Sequence, residues 1–302
     1  QVPTDRADYG AIAELAVQNH GQALYYIPVD RPDYGALAKL AVKKDGGSLE
    51  WVPVDRADYG EIAELAVQNL RLDGGNALEF VPKDRADYGA LAKLAVQEHG
   101  MALEYVPKDR TDYGAIARLA VQEDGEVLTH VPTDRADFGE IAELAVQKYG
   151  RALRFVPKDR DDYGELAKLA VQKVGHALKY VPPDRRSGPH WRHVYGDIAR
   201  LAVQEDGAAL EYVPKDRVDY GAIARLAVQN NRLHSASALR FVPTDRADYG
   251  ALAKIAVQSN AQAVLYVPKD RADFGALARI AVQKHGWMLN QVPTDRADYG
   301  AI

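Results

Sequence analysis

Two carboxylates, a guanidinium and a phenol stand together in Asp5-Arg6-Ala7-Asp8-Tyr9-Gly10, two residues beyond Pro3, and the same group returns along the whole chain. A row of arginines at such spacing could grip phosphates or carboxylates. Asp-x-x-Asp could share a proton as an acid and base pair, and a row of tyrosines could stack bases. Each chemistry has a plainer rival. The Asp-Arg pairs include Asp30/Arg31, Asp55/Arg56, Asp84/Arg85, Asp109/Arg110, Asp134/Arg135 and Asp159/Arg160. In a stacked array they fall into an acidic row beside a basic one, and adjacent aspartates cancel most of the field an anion would feel. The expectation is therefore an inter-repeat ladder, the Asp of one unit pairing with the Arg of the next. Each exposed pair is worth only ~0–1 kcal/mol, so its use is to fix register.

The aromatic row runs Tyr9, Tyr34, Tyr59, Tyr88, Tyr113, Phe138, Tyr163, Tyr195, Tyr220, Tyr249, Phe274 and Tyr299. Two replacements by Phe and a place on an apolar stripe favour core packing over base stacking. A second aromatic site, two residues before the proline, holds Tyr26, Trp51, Phe80, Tyr105, His130, Phe155, Tyr180, Tyr212, Phe241 and Tyr266, and core is expected there too. The Asp-x-x-Asp spacing is better explained by turns and helix caps than by catalysis. No serine sits in a nucleophile motif, and His20, His99 and His285 occupy one loop position in separate units without acidic partners at metal-ligand spacing. The reading is non-enzymatic, with no cofactor.

The elements that position these residues follow from the period. Twelve motif prolines, Pro3 to Pro293, are mostly 25 residues apart; Pro53–Pro82 and Pro214–Pro243 span 29, and Pro182–Pro214 spans 32. That gives eleven units and a stub, the regime of solenoids. Within one unit Tyr113, Ile116, Ala117, Ala120 and Val121 recur at helical spacing, predicting an amphipathic helix. Asp112 is placed to cap its start, and Asp58/Glu61, Asp137/Glu140 and Asp162/Glu165 have the spacing of capping boxes. The glycine of Gln-x-x-Gly, as at Gly100 or Gly175, is expected to end the helix in a left-handed C-cap. A shorter helical segment such as Ala102–Val106 follows, until the proline stops it. Two helices in 25 residues cannot bury both apolar stripes alone, so neighbouring units must stack. The fold class is all-α, an αα-hairpin solenoid over residues 1–302.

The phrase Ala-Val-Gln-x-x-Gly-x-Ala-Leu-x-Tyr-Val-Pro, at Ala95–Pro107 and Ala202–Pro214, resembles a short helical repeat family catalogued as a domain of unknown function. The resemblance covers essentially the whole chain. It implies a helical array and, the family being uncharacterised, no activity.

Bulk properties exclude several classes. A net charge of −5 argues against a protein whose affinity rests on neutralising phosphates, so nucleic acid is an unfavoured partner. Without cysteine there are no disulfides, thiolate metal sites or cysteine nucleophiles. No apolar run approaches the roughly 20 residues of a membrane span.

Where the pattern breaks, two readings stand side by side: contact with a partner, or a loop that varies and accepts extra residues for lack of constraint. The pair ahead of the loop glycine varies from unit to unit, as in Asn19-His20, Lys44-Asp45 and Glu98-His99, a layout shared with modular base readers, although loops also vary for lack of constraint. Two insertions, Leu70–Asp73 and Asn231–His234, enlarge the same loop in distant units. A third, Arg186 to Val194, brings Arg186, His190, Trp191, Arg192 and His193 together, residue types enriched at binding hot spots. Residues 1–12 and 291–302 are identical, including the unusual glutamines Gln1 and Gln291, which suggests an excerpt of a longer array repeating every 290 residues. The partner is then the chain itself, in a filament or other homo-assembly, or another protein; a closed ring and a consensus design are rival explanations of the matched ends.

Overall fold

The computed structural model describes residues 6–69, 74–183, 189–230, 235–294 and 300. Every repeat contributes one α-helix and one 3₁₀ segment, and no strand occurs among the described residues. The chain divides into two compact units, Gln1–Ala145 and Val146–Ile302.

In the first unit the helices are α1 (Tyr9–Asn19), α2 (Tyr34–Lys44), α3 (Tyr59–Val67), α4 (Tyr88–Glu98), α5 (Tyr113–Glu123) and α6 (Phe138–Lys148), whose last residues run past the boundary. Helices α1 to α5 stack in chain order as one layer. Their 3₁₀ segments, Gly21–Tyr26, Gly46–Trp51, Gly74–Phe80, Gly100–Tyr105 and Gly125–His130, stack as a second. Each of the first four 3₁₀ segments also touches the helix that follows it, so adjacent repeats meet on both layers. The second unit repeats the arrangement with α7 (Tyr163–Lys173), α8 (Pro189–Glu205), α9 (Tyr220–Gln229), α10 (Tyr249–Ser259) and α11 (Phe274–Lys284). The array is an all-α tandem-repeat solenoid. The second segment of each repeat is a 3₁₀ helix and not a shorter α-helix: six or seven residues between a glycine loop and a proline suit a tighter coil used in short pieces.

The core lies between the layers. In the α5 repeat Tyr113, Ile116, Ala117, Ala120, Val121, Val127, Leu128 and Val131 are all buried. The two alanines on the helix stripe leave room for the neighbouring helix, while Leu128 and Val131 come from the 3₁₀ side. Val131 is extended (φ −81°, ψ 123°), as a residue preceding proline must be, and this stops the segment. A turn then forms from Pro132 to Arg135, and the next helix starts three residues on.

Two local expectations fail. Asp112 occupies the N-cap position, yet its side chain makes no cap bond, and the same holds at Asp58 and Asp162. The Glu residues of the supposed capping boxes turn elsewhere: Glu61 to Lys39 (2.6 Å), Glu140 to Arg118 (2.7 Å), and Glu165 to Lys168 (2.8 Å). The first two of those bridges join consecutive repeats.

The loop glycines are not left-handed caps either. Gly100, Gly150, Gly175, Gly207 and Gly286 have no positive φ, and the residue ahead of Gly100, His99, is extended at φ −147° and ψ 97°. What requires glycine is proximity to the next repeat. A Cβ at Gly175 would lie 2.6 Å from the Ala202 carbonyl oxygen, and one at Gly21 2.6 Å from that of Ala41. Ala261 at the equivalent place in the α10 repeat shows that a single methyl can be accommodated there.

Candidate functional site

The residues that the sequence marks most often converge on one structure, a joint between consecutive repeats. Arg110 shows its parts. Its Nε and Nη2 donate to the two carboxylate oxygens of Asp112, at 2.8 and 3.0 Å, within the same repeat. Its guanidinium carbon lies 4.7 Å from the ring centroid of Tyr88, in the preceding repeat. Its Nη1 donates to the Lys83 carbonyl of that repeat at 3.4 Å. The fork to aspartate recurs at Arg31, Arg56, Arg85, Arg135, Arg160, Arg217, Arg246 and Arg271. Stacking on the preceding tyrosine recurs at 4.6–5.0 Å for Arg31, Arg56, Arg85 and Arg135 in the first unit and for Arg217, Arg246 and Arg271 in the second.

The arginine row is thus an inter-repeat device, but not the ladder expected from the Asp-Arg pair. The second aspartate of the motif is the partner, two residues on and in the same repeat, which is why it makes no cap bond. A planar guanidinium can satisfy a carboxylate edge-on while presenting its face to a ring, and this geometry lets one side chain hold its own repeat and lean on the last. The first aspartates, Asp30, Asp55, Asp84, Asp109, Asp134 and Asp159, are exposed at the turn and make no ion pair across repeats.

The tyrosine completes the joint from the other side. Tyr34, Tyr59, Tyr88 and Tyr113 are fully buried, and their hydroxyls donate to the carbonyls of Trp51, Phe80, Tyr105 and His130 at 2.7–3.1 Å, tying each helix to its own 3₁₀ segment. The glycine after each tyrosine keeps the helix surface bare where the next fork rests. A Cβ at Gly196 would come 2.8 Å from an oxygen of Asp219. Electrostatics follow the geometry. The arginine fork holds Asp58, Asp87 and Asp112 below the usual carboxylate range and raises the arginines in turn. Burial pushes Tyr59, Tyr88, Tyr113 and Tyr220 up to about 12 despite the arginine over each ring.

The long repeat varies the joint. Its extra residues lengthen α8 to 17 residues by extending its start, with Pro189 first, the position where a missing N–H costs nothing. Val194 stands where every other repeat has its fork aspartate. Accordingly, a Cβ at Gly164 would meet Val194 and Trp191, at 3.4 and 3.7 Å, in place of Asp and Arg. Trp191 was an expected partner contact and is instead core. It is 4% exposed, donates from Nε1 to the Pro182 carbonyl at 2.9 Å and packs against Tyr163 with centroids 6.2 Å apart. His193 is exposed. Arg186 and the side chains of His190 and Arg192 lie outside the described residues, as do both enlarged loops.

The second aromatic row is not core. Trp51, Phe80, Tyr105, Phe155, Tyr180, Tyr212 and Phe241 are half-buried, and Tyr26 and Tyr266 are exposed. These rings end the 3₁₀ segments, where only one face meets the neighbouring repeat. They form the edge of an exposed surface.

The variable pair also has structural work that the sequence reading missed. Its second member caps the 3₁₀ segment when it is Asp or Asn: Asp45, Asp124, Asp206 and Asn260 accept from the N–H two residues on, at 2.8–3.0 Å. Asp45 also accepts from Gln22 and Asp206 lies 2.7 Å from His176 Nδ1, each a link to the repeat before. Its first member, when Asn69, Asn230 or Lys284, donates to the last carbonyls of the preceding helix. The signal for these bonds is a donor 25 to 27 residues beyond the carbonyls it meets, visible only once the stacking is known.

Among the described residues no helix is long and apolar enough to cross a membrane. No protein-family model, curated protein or solved structure matches the chain.

Proposed function

We propose that the protein is a non-enzymatic scaffold whose repeats stack into a regular array that assembles with itself, as in a filament, or presents its surface to another protein. The tandem helical architecture fits a scaffold or interaction role. The observation that carries the finer reading is the joint: Arg and Gly, present in every repeat, together with the second Asp and the Tyr, present in most, are engaged in holding one repeat to the next. In that role the Nε–Nη2 edge of the guanidinium is taken by aspartate and the tyrosine ring is buried, which leaves no open ring face for a base.

The test is electron microscopy of the purified chain together with binding titrations against single- and double-stranded DNA and RNA over a salt series. Ordered assemblies, or capture of a defined protein with no nucleic-acid affinity, support the scaffold. Nucleic-acid affinity that falls steeply with salt, with no assembly, would replace it by a modular nucleic-acid binder.

A further inference from the structure

Charge is distributed unevenly along the chain. Residues 1–145 hold 14 Lys and Arg against 26 Asp and Glu, and residues 146–302 hold 24 against 17, so the two compact units carry formal charges of −12 and +7. The joint does not create the contrast, because its Asp-Arg-x-Asp core recurs in both units. The contrast comes from positions the joint leaves open, most regularly the residue before the half-buried aromatic of each 3₁₀ segment. In the acidic unit Glu50, Glu79 and Glu104 occupy it in three consecutive repeats, all exposed. In the basic unit the same position holds Arg154, Lys179 and Arg240, also exposed, with Glu211 between the last two.

The cations are held in place. Arg154 lies 4.5 Å from the centroid of Phe155, and Lys179 lies 4.8 Å from that of Tyr180. Successive 3₁₀ segments pack on one another within each unit, so Glu50, Glu79 and Glu104 stand on three consecutive segments and Arg154 and Lys179 on two. Built on the same repeat, they share one spacing, and each is edged by the same half-buried aromatic row.

We propose that Glu50, Glu79 and Glu104 of one copy dock against the row containing Arg154 and Lys179 of a second copy, the neighbouring aromatic rings supplying the apolar part of the contact. This rests on the scaffold reading and names its partner. A nucleic acid drawn to the +7 unit would be repelled by the −12 unit tethered to it, whereas a second copy offers each unit its opposite charge. The aromatic faces in the basic row are covered by their own cations, which suits a carboxylate partner better than a stacked base.

Sedimentation velocity of the full chain at about 20 mM and about 500 mM NaCl tests the contact, since that range shortens the screening length several-fold. Self-association is expected at low salt, at least about tenfold weaker at high salt, where the 33.2 kDa single chain dominates. Glu50→Lys/Glu79→Lys/Glu104→Lys and Arg154→Glu/Lys179→Glu are each expected to be monomeric at low salt. Mixing the two restores association, because the reversed rows again have opposite charge. Far-UV circular dichroism establishes that both are folded, and Glu50→Gln/Glu79→Gln/Glu104→Gln, which adds no new repulsion, gives a second reading with intermediate affinity. Association unchanged by salt and by both reversals would overturn this interface and leave self-assembly by another surface standing. A monomer at every salt concentration would overturn both this interface and the self-assembling form of the scaffold, leaving only a different protein partner.

Discussion

Arg110 performs three tasks: a two-bond fork to Asp112, a stack on Tyr88 and a bond to the Lys83 carbonyl. Lysine could make one of these at a time. The cation–π part is worth about 0.5–2 kcal/mol in comparable settings. A double-mutant cycle pairing Arg110→Met with Tyr88→Leu should therefore show a coupling of about 1 kcal/mol in urea unfolding. Tyr88→Phe should cost about 1 kcal/mol, the hydroxyl bond to Tyr105 alone, since Phe138 and Phe274 do without it. The same residues set the pH profile. Buried tyrosines with folded values near 12, above the usual 10, contribute stability that is complete below pH 10 and is lost as pH rises toward 12. The aspartates held low by arginine contribute stability that is present above about pH 4 and is lost as pH falls through their lowered values. Thermal melts from pH 2 to pH 12 should show a plateau bounded on both sides; stability still rising between pH 10 and 12 would contradict the tyrosine account.

At the scale of elements, the helix of each repeat was legible because its stripe has a strong period, and the proline set the end of each segment. The buried tyrosine row was legible for the same reason. The 3₁₀ character was not, because six residues are too few for periodicity to separate two helical coils. Nor was the partner of the arginine: adjacency in sequence suggested Asp30 with an arginine of the next unit, whereas the fork needs a carboxylate two residues away, where the turn brings both side chains to one side. Trp191 was misread because its composition looks like a hot spot while its position, four residues before Tyr195, puts it on the buried face of an extended helix. Trp191→Ala should cost about 3 kcal/mol or more by calorimetry, as a buried indole does, where loss of a surface contact would cost little. Gly175→Val should destabilise by about 1–3 kcal/mol, since its Cβ meets a backbone carbonyl that cannot rotate away.

For the whole molecule, identical joints imply nearest-neighbour energetics, in which total stability is a sum over repeats and the contacts between them. What distinguishes one stretch from another is then the surface between the joints, and its acidic and basic rows are where assembly is specified. The central claim is that the arginine of each joint, and not a charge ladder, holds consecutive repeats together. The most direct measurement is the urea unfolding free energy of Arg56→Lys, Arg110→Lys and the double variant, each of which keeps the charge but cannot make the fork and the stack together. The joint predicts a loss of about 1 kcal/mol for each single change and about twice that for the pair, adding because the two sites share no partners. Stability unchanged in all three variants would show that charge alone suffices, and would contradict it.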